Sequence, residues 1–222
     1  MVNYKKKYLK YKIKYLLALI QKKYIGYFVK LPIIYHYPNN NQELIKVKKM
    51  INSRSKYMEK LFLITDNNLY LPFLNFLKTK YPKQYPSSDD NKNKNHFQNI
   101  YHSLYNTLMK IKNYYNRRRP YQIDPNISKQ PLLNHPSLDK SHVTWLTPSY
   151  PAGHALQGYY LAKFLIIKHP EIKTELMKIC DDIDKCRVCA GIHYPSDGEF
   201  SKFLVFKSGV YPKYGNIKEW KL

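Results

Sequence analysis

Wherever this chain is apolar, its apolar residues recur three or four positions apart, and strict alternation appears nowhere. Phe97, Ile100, Leu104, Leu108 and Ile111 fall on one helical face. Leu9, Ile13, Leu16, Leu17, Ile20 and Tyr24 do the same near the N-terminus, with lysines on the opposite face. A strand needs a period of two, so this pattern excludes it and predicts an all-α fold. Helices are expected over 4–28, 42–62, 69–80, 96–116, 154–168, 171–190 and about 197–206, with Asp66 as N-cap of the third. Pro120 ends the helix over 96–116, because proline lacks an N–H and pushes the residue before it out of helical geometry. The polar stretch 82–95 reads as an exposed loop. The segment 124–151 carries Pro125, Pro131, Pro136, Pro148 and Pro151 and little periodicity. A connection that long is functional or disordered.

At 222 residues the chain suffices for one well-buried domain. We read 1–36 as a basic amphipathic helical appendage and 37–222 as the helical domain. The appendage suits either packing with a solvated lysine face or peripheral contact with an anionic membrane. The balance of 38 Lys+Arg against 15 Asp+Glu gives a net charge of +23. Such a field attracts phosphorylated substrates, anionic lipid surfaces and nucleic acid. The lysines are spread along the chain, as the codon bias of an AT-rich genome spreads them, so charge alone names no partner. The three cysteines, Cys180, Cys186 and Cys189, form an odd, clustered set that fits a reducing compartment better than a disulfide framework. Cys186-x2-Cys189 has no second pair to complete a zinc site. No run approaches the ~18 apolar residues a membrane span needs. The segment 16–20 (LLALI) is also too short for a secretory signal. The expected location is cytoplasmic.

Three stretches carry chemistry: 112–120 (KNYYNRRRP), 148–155 (PSYPAGHA) and 187–197 (RVCAGIHYPSD). In the third, His193 and Asp197 are four apart, so one helical turn brings them to one face. A carboxylate on one ring nitrogen sets the tautomer and leaves the other nitrogen to attack phosphorus. Arg187 offers a planar fork to phosphate oxygens. In the second stretch, Gly153 lets backbone approach a ligand, His154 opens a helix whose free N–H groups attract anions, and the His154 imidazole can protonate a leaving oxygen. In the first, Lys112 and Arg119 supply a point charge and a fork. Arg117 and Arg118 read as solvent or substrate-rim groups.

Taken together and in this order, K-x6-RP, P-x-GH and R-x5-H-x3-D resemble the type-2 phosphatidic acid phosphatase and vanadium haloperoxidase superfamily. The likeness covers about 95–204 and is closest to the soluble bacterial class A acid phosphatases. It implies an all-helical bundle and a metal-independent phosphomonoesterase acting through a phosphohistidine. By resemblance His193 is the nucleophile, Asp197 its orienting partner and His154 the acid for the leaving group. Lys112, Arg119, Arg187 and the Gly153 amide hold the phosphate. No cofactor is implied, although vanadate fits the same cage. The partner implied is a phosphorylated small molecule or lipid headgroup. Two positions depart from the family pattern. Ala152 replaces the usual serine, a loss of about 1 kcal/mol or a roughly tenfold effect on rate. Ser201 stands where a glycine is usual. Two other readings are a silenced anion-binding protein for nucleic acid or anionic membrane, and a vanadate-dependent haloperoxidase. Tyr114, Tyr115, Tyr121, Trp145, Tyr150 and Tyr194 are candidates either for stacking on a substrate or for packing.

Overall fold

A computed structural model describes residues 37–138 and 144–207, and among these the fold is all-α. The appendage expected over 1–36 lies outside the described residues. The longer helices are α1 (Asn40–Asn52), α2 (Lys56–Asn67), α3 (Leu71–Lys80), α4 (Asp90–His102) and α5 (Tyr105–Tyr115). Two short turns follow, α6 (Pro120–Ile123) and α7 (Pro125–Ser128), then α8 (Gly153–Lys168), α9 (Lys173–Cys189) and α10 (Pro195–Phe206). No helix among the described residues is long and apolar enough to cross a membrane.

Helix α8 is the axis of the molecule. Ala155, Leu156, Gly158, Tyr159, Tyr160, Leu161, Ala162 and Leu165 are buried, so it is apolar on nearly all sides. A helix of that kind must be surrounded. α9 and α10 pack along it, with α4 on another side. Phe73, Leu77, Phe97, Ile100, Leu108 and Ile111 from α3, α4 and α5, with Leu104 from the turn between α4 and α5, complete the main core. α2 packs on α9, where Met58, Leu61 and Phe62 meet Cys186, Cys189 and Ile192.

Several expected elements are divided. The helix expected over 42–62 is two, because Ser55 leaves helical geometry to cap α2, its hydroxyl accepting from Met58 N at 3.3 Å. Asp66 lies inside α2 and caps nothing. The stretch read as a loop over 82–95 is helical from Asp90: Asn91, Lys92 and Asn95 face outward while Phe97 and Ile100 pack inward. The helix expected over 96–116 breaks at Ser103, whose hydroxyl donates to Ile100 O at 2.6 Å. The proline-rich segment holds α7 and 3-10 turns at Pro131–Asn134 and Thr144–Leu146, with α6 immediately before it.

Helix ends meet at one place. Lys112 and Arg187 lie in the last turns of α5 and α9, where a cation suits the negative end of the helix dipole. His154 and Asp197 lie in the first turns of α8 and α10. Asn116 closes α5 in the left-handed region at φ 44°, turning the chain one helical turn after Lys112. Gly191 does the same for α9 at φ 72°. Arg54 and Gln130 hold that end, donating to Cys189 O at 2.9 Å and Ala190 O at 2.7 Å. A Cβ at Gly191 would lie 2.3 Å from Ile127 Cγ2 and 3.1 Å from Ile51 Cδ1. Gly191→Ala is therefore expected to lower stability by about 2 kcal/mol or more, since it combines left-handed strain with overpacking. Urea denaturation checks this, and an unchanged midpoint would contradict it.

Candidate active site

His193 precedes α10 rather than lying on its face. The chain is extended at Tyr194, and Asp197 sits in the first turn, where its Oδ2 accepts from Tyr194 N at 3.0 Å. Proximity of His193 and Asp197 thus comes from a helix-entry turn and not from the helical repeat expected of their spacing. His193 Nδ1 lies 2.9 Å from Asp197 Oδ2, and its Nε2 lies 3.1 Å from Arg119 Nη1. Arg119 has no lone pair to offer, so Nε2 accepts and Nδ1 carries the proton donated to Asp197. The nitrogen left unprotonated is the one facing the cations.

All three cations named from the sequence are buried here. Arg119 is anchored by Nε to Thr147 O at 2.8 Å and by Nη1 to Ile192 O at 2.8 Å. Burial holds its guanidinium down to about 10. Lys112 donates to Pro148 O, and to Ser149 O at 3.4 Å. Burial and then Arg119 push its pKa well below the lysine range. A Cβ at Gly153 would lie 3.2 Å from Leu108 Cδ2 and 3.8 Å from Lys112 Cε, so the glycine lets α8 begin close against α5.

Arg187, whose fork is expected to face phosphate oxygens, has both Nη groups engaged by α2. Nη1 donates to Asp66 Oδ1 at 3.0 Å, and Nη2 to Thr65 Oγ1 at 2.5 Å and Phe62 O at 3.4 Å. Its Nε is buried with no partner among the described residues. His154 is partly buried, and its Nε2 donates to Asp66 O at 3.3 Å. Burial, then Arg187, with His193 and Arg119 behind it, holds His154 well below the usual imidazole range. Mutual electrostatic influence therefore links residues from α5, α8, α9 and the turn into α10 around one imidazole.

Arg117 is the largest departure from expectation. It is only 1% exposed, so the rim assignment fails for it, while Arg118 is exposed. Its Nη1 pairs with Asp197 Oδ1 at 2.7 Å and its Nη2 with Glu43 Oε2 at 2.6 Å. Ser149 Oγ also donates to Asp197 Oδ2. The basic run 117–119 hid Arg117 among like residues, and Asp66, Glu43 and Ser149 carry no sequence signal that separates them from surface residues. Ser201 donates from α10 toward Ala152 O at 2.9 Å and Asp197 O at 2.8 Å, tying the start of α8 to α10. Most of the nominated aromatics pack: Tyr150 stacks on Phe200 at 4.5 Å, and Tyr115 meets Tyr150 edge-on at 4.8 Å. Trp145, half-buried, lies 6.4 Å from Phe62. Cys180, Cys186 and Cys189 are buried free thiols. Among the described residues no group of three or more His, Cys, Asp or Glu side chains could hold a metal ion.

No known family model and no curated protein matches this chain.

Two outcomes follow from this geometry. Burial and then Arg119 hold His193 down to about 3 from an ordinary 6.5, so the unfolded chain binds its proton more readily. Burial raises Asp197, but the hydrogen bond and charge of His193, with Arg117, bring it to about 2 from 3.8. Both folded values lie below the unfolded ones, so both contributions are present above the unfolded pKa and lost as pH falls. The melting temperature is expected to decline from pH 6.5 toward pH 3, and a flat profile across that window would contradict this. Ala152 starts α8 without a side-chain cap. Ala152→Ser is expected to stabilise the fold by about 1 kcal/mol, read from urea midpoints. Unchanged or lower stability would show the hydroxyl has no partner there.

Proposed function

We propose that the protein is a phosphomonoesterase of the type-2 phosphatidic acid phosphatase and haloperoxidase kind, acting through a phosphohistidine on His193. The observation that carries this reading is an imidazole held at both nitrogens. An aspartate lies 2.9 Å from Nδ1 and an arginine 3.1 Å from Nε2. An ordinary core histidine has no use for a buried guanidinium at its basic nitrogen, which opposes protonation at a cost in stability. A phosphoryl acceptor does, because that guanidinium also grips the oxygens of the group being transferred.

In the first half-reaction Nε2 attacks phosphorus while the bond to the leaving oxygen breaks. The bond electrons go to that oxygen, which takes a proton from His154. Asp197 keeps Nδ1–H oriented and offsets the imidazolium charge of the intermediate. Arg119, Lys112 and Arg187 neutralise the equatorial oxygens, with the Gly153 N–H at the start of α8 adding a backbone donor. The unpartnered Arg187 Nε supports this role, since a buried N–H with no acceptor is costly unless a ligand supplies one. In the second half-reaction water attacks phosphorus, His154 accepts its proton, and the P–N bond electrons return to Nε2. The cations that hold His154 neutral are offset when a phosphate dianion binds among them, which restores its affinity for the proton it must donate. A phosphorylated small molecule or lipid headgroup is the substrate class proposed.

Purified protein is expected to hydrolyse p-nitrophenyl phosphate in the presence of a chelator, and His193→Ala to reduce turnover to background. Equal turnover in that variant would overturn the phosphohistidine mechanism. Phosphate binding without turnover in the unaltered protein would favour a silenced anion-binding site instead.

A further inference from the structure

We propose that Arg117 is a positioning residue for the His193–Asp197 pair: it keeps Asp197 ionised and fixed in rotation, so that the pair stays competent in acid. The inference rests on the phosphohistidine reading above.

Asp197 is fully buried, and a carboxylate there is expensive unless paired. Arg117 Nη1 takes Oδ1 at 2.7 Å, which leaves Oδ2 to face His193 Nδ1 at 2.9 Å. One oxygen is thus neutralised by a cation that never touches the imidazole, and the other is aimed at it. Arg117 fixes a second ligand of the same carboxylate as well. Its carbonyl accepts from Ser149 N at 2.8 Å, and Ser149 Oγ donates to Asp197 Oδ2.

Arg117 is itself immobilised. Glu43 Oε2 lies 2.6 Å from Nη2, Asn40 Oδ1 3.0 Å from Nε, and Ser196 Oγ 2.8 Å from Nη1. The rings of Tyr37 and Tyr194 lie 4.3 Å and 3.9 Å from its guanidinium carbon. A planar fork can serve two carboxylates on different nitrogens while packed between rings, and a lysine cannot. Glu43 alone would satisfy a guanidinium present only for structure. The second pairing, to Asp197, joins Glu43, Arg117 and Asp197 into one buried row of alternating charge that ends against the proposed nucleophile.

The other charged or titratable groups facing Asp197 do not replace Arg117. Lys112 and Arg119 act on it through space but are bonded to backbone carbonyls. Tyr194 from the turn into α10 and Asp184 from α9 are disfavoured as anions beside it. His193 is the group whose protonation state matters. Without Arg117, Asp197 would gain protons more readily, and the imidazole, relieved of a nearby cation, would as well.

The test is a nitrogen NMR titration of the His193 imidazole, paired with the pH dependence of kcat, in Arg117→Gln and Arg117→Lys. In Arg117→Gln the His193 midpoint is expected to rise by about one unit or more. The acid limb of kcat should rise with it, lowering kcat in acid on the order of tenfold with KM little changed. Arg117→Lys, which keeps the charge and loses the fork, should leave the midpoint nearer the unaltered value. If Arg117→Gln fails to fold because Glu43 is left unpaired, the double variant Arg117→Gln/Glu43→Gln removes both charges and should shift in the same direction. An imidazole midpoint unchanged in whichever variant folds overturns the proposal. The titration needs no turnover, so it judges Arg117 separately from the phosphatase reading, which the His193→Ala variant judges.

Discussion

A single buried carboxylate organises the centre of this molecule. Asp197 accepts from Arg117, His193, Ser149 and the Tyr194 backbone, and its own carbonyl accepts from Ala152 N at 3.1 Å. Those partners come from the turn after α5, the loop before α8 and the entry to α10. A carboxylate withdrawn from water must recover its lost hydration from such donors. The requirement forces three separate segments to converge on it. Once they converge, Arg119 and His193 are neighbours and the remaining cations are drawn in by the helix ends that carry them.

The arrangement is expensive, and the expense is confined to one end of the helices. Arg117, Arg119 and Arg187 are each at most 2% exposed, and Lys112 is 3% exposed. Carboxylates answer two of these four cations directly: Asp197 and Glu43 pair with Arg117, and Asp66 with Arg187. The other two, Lys112 and Arg119, are held by backbone carbonyls, and both have their charge disfavoured by burial. An excess of buried positive charge is what the proposed phosphate site needs, because charge–charge attraction is strongest where water is excluded. The core around α8 supplies the stability against which that excess is set, and it has the opposite character: aromatic and aliphatic side chains in continuous contact.

Helix type and approximate position were legible wherever one face of the chain was apolar, as in α3, α8, α9 and α10. The ends of those helices were legible to within two residues, whereas breaks inside longer apolar runs were not. Ser55 and Ser103 divide expected helices because a short hydroxyl competes for backbone groups at a point where the apolar period continues unbroken. The polar start of α4 was unreadable for a related reason: a helix facing solvent over its first turns carries no periodic signal there, and packing of its later residues on α8 holds it in place.

The sequence by itself determined that the chain is helical, and it nominated Lys112, Arg119, Gly153, His154, Arg187, His193 and Asp197, because helical period and short motifs are local properties. Only the tertiary structure decided which groups partner them. Arg117 became the second ligand of Asp197, Asp66 the partner of Arg187 and the acceptor for His154, and Glu43 the counter-charge to Arg117. Each of those pairings joins residues more than seventy positions apart, and nothing in the local sequence distinguishes them from solvent-facing charges. Electrostatic pairing in a dry interior depends on which chain segments the core brings within a few ångströms, and that is a property of packing rather than of any stretch of residues.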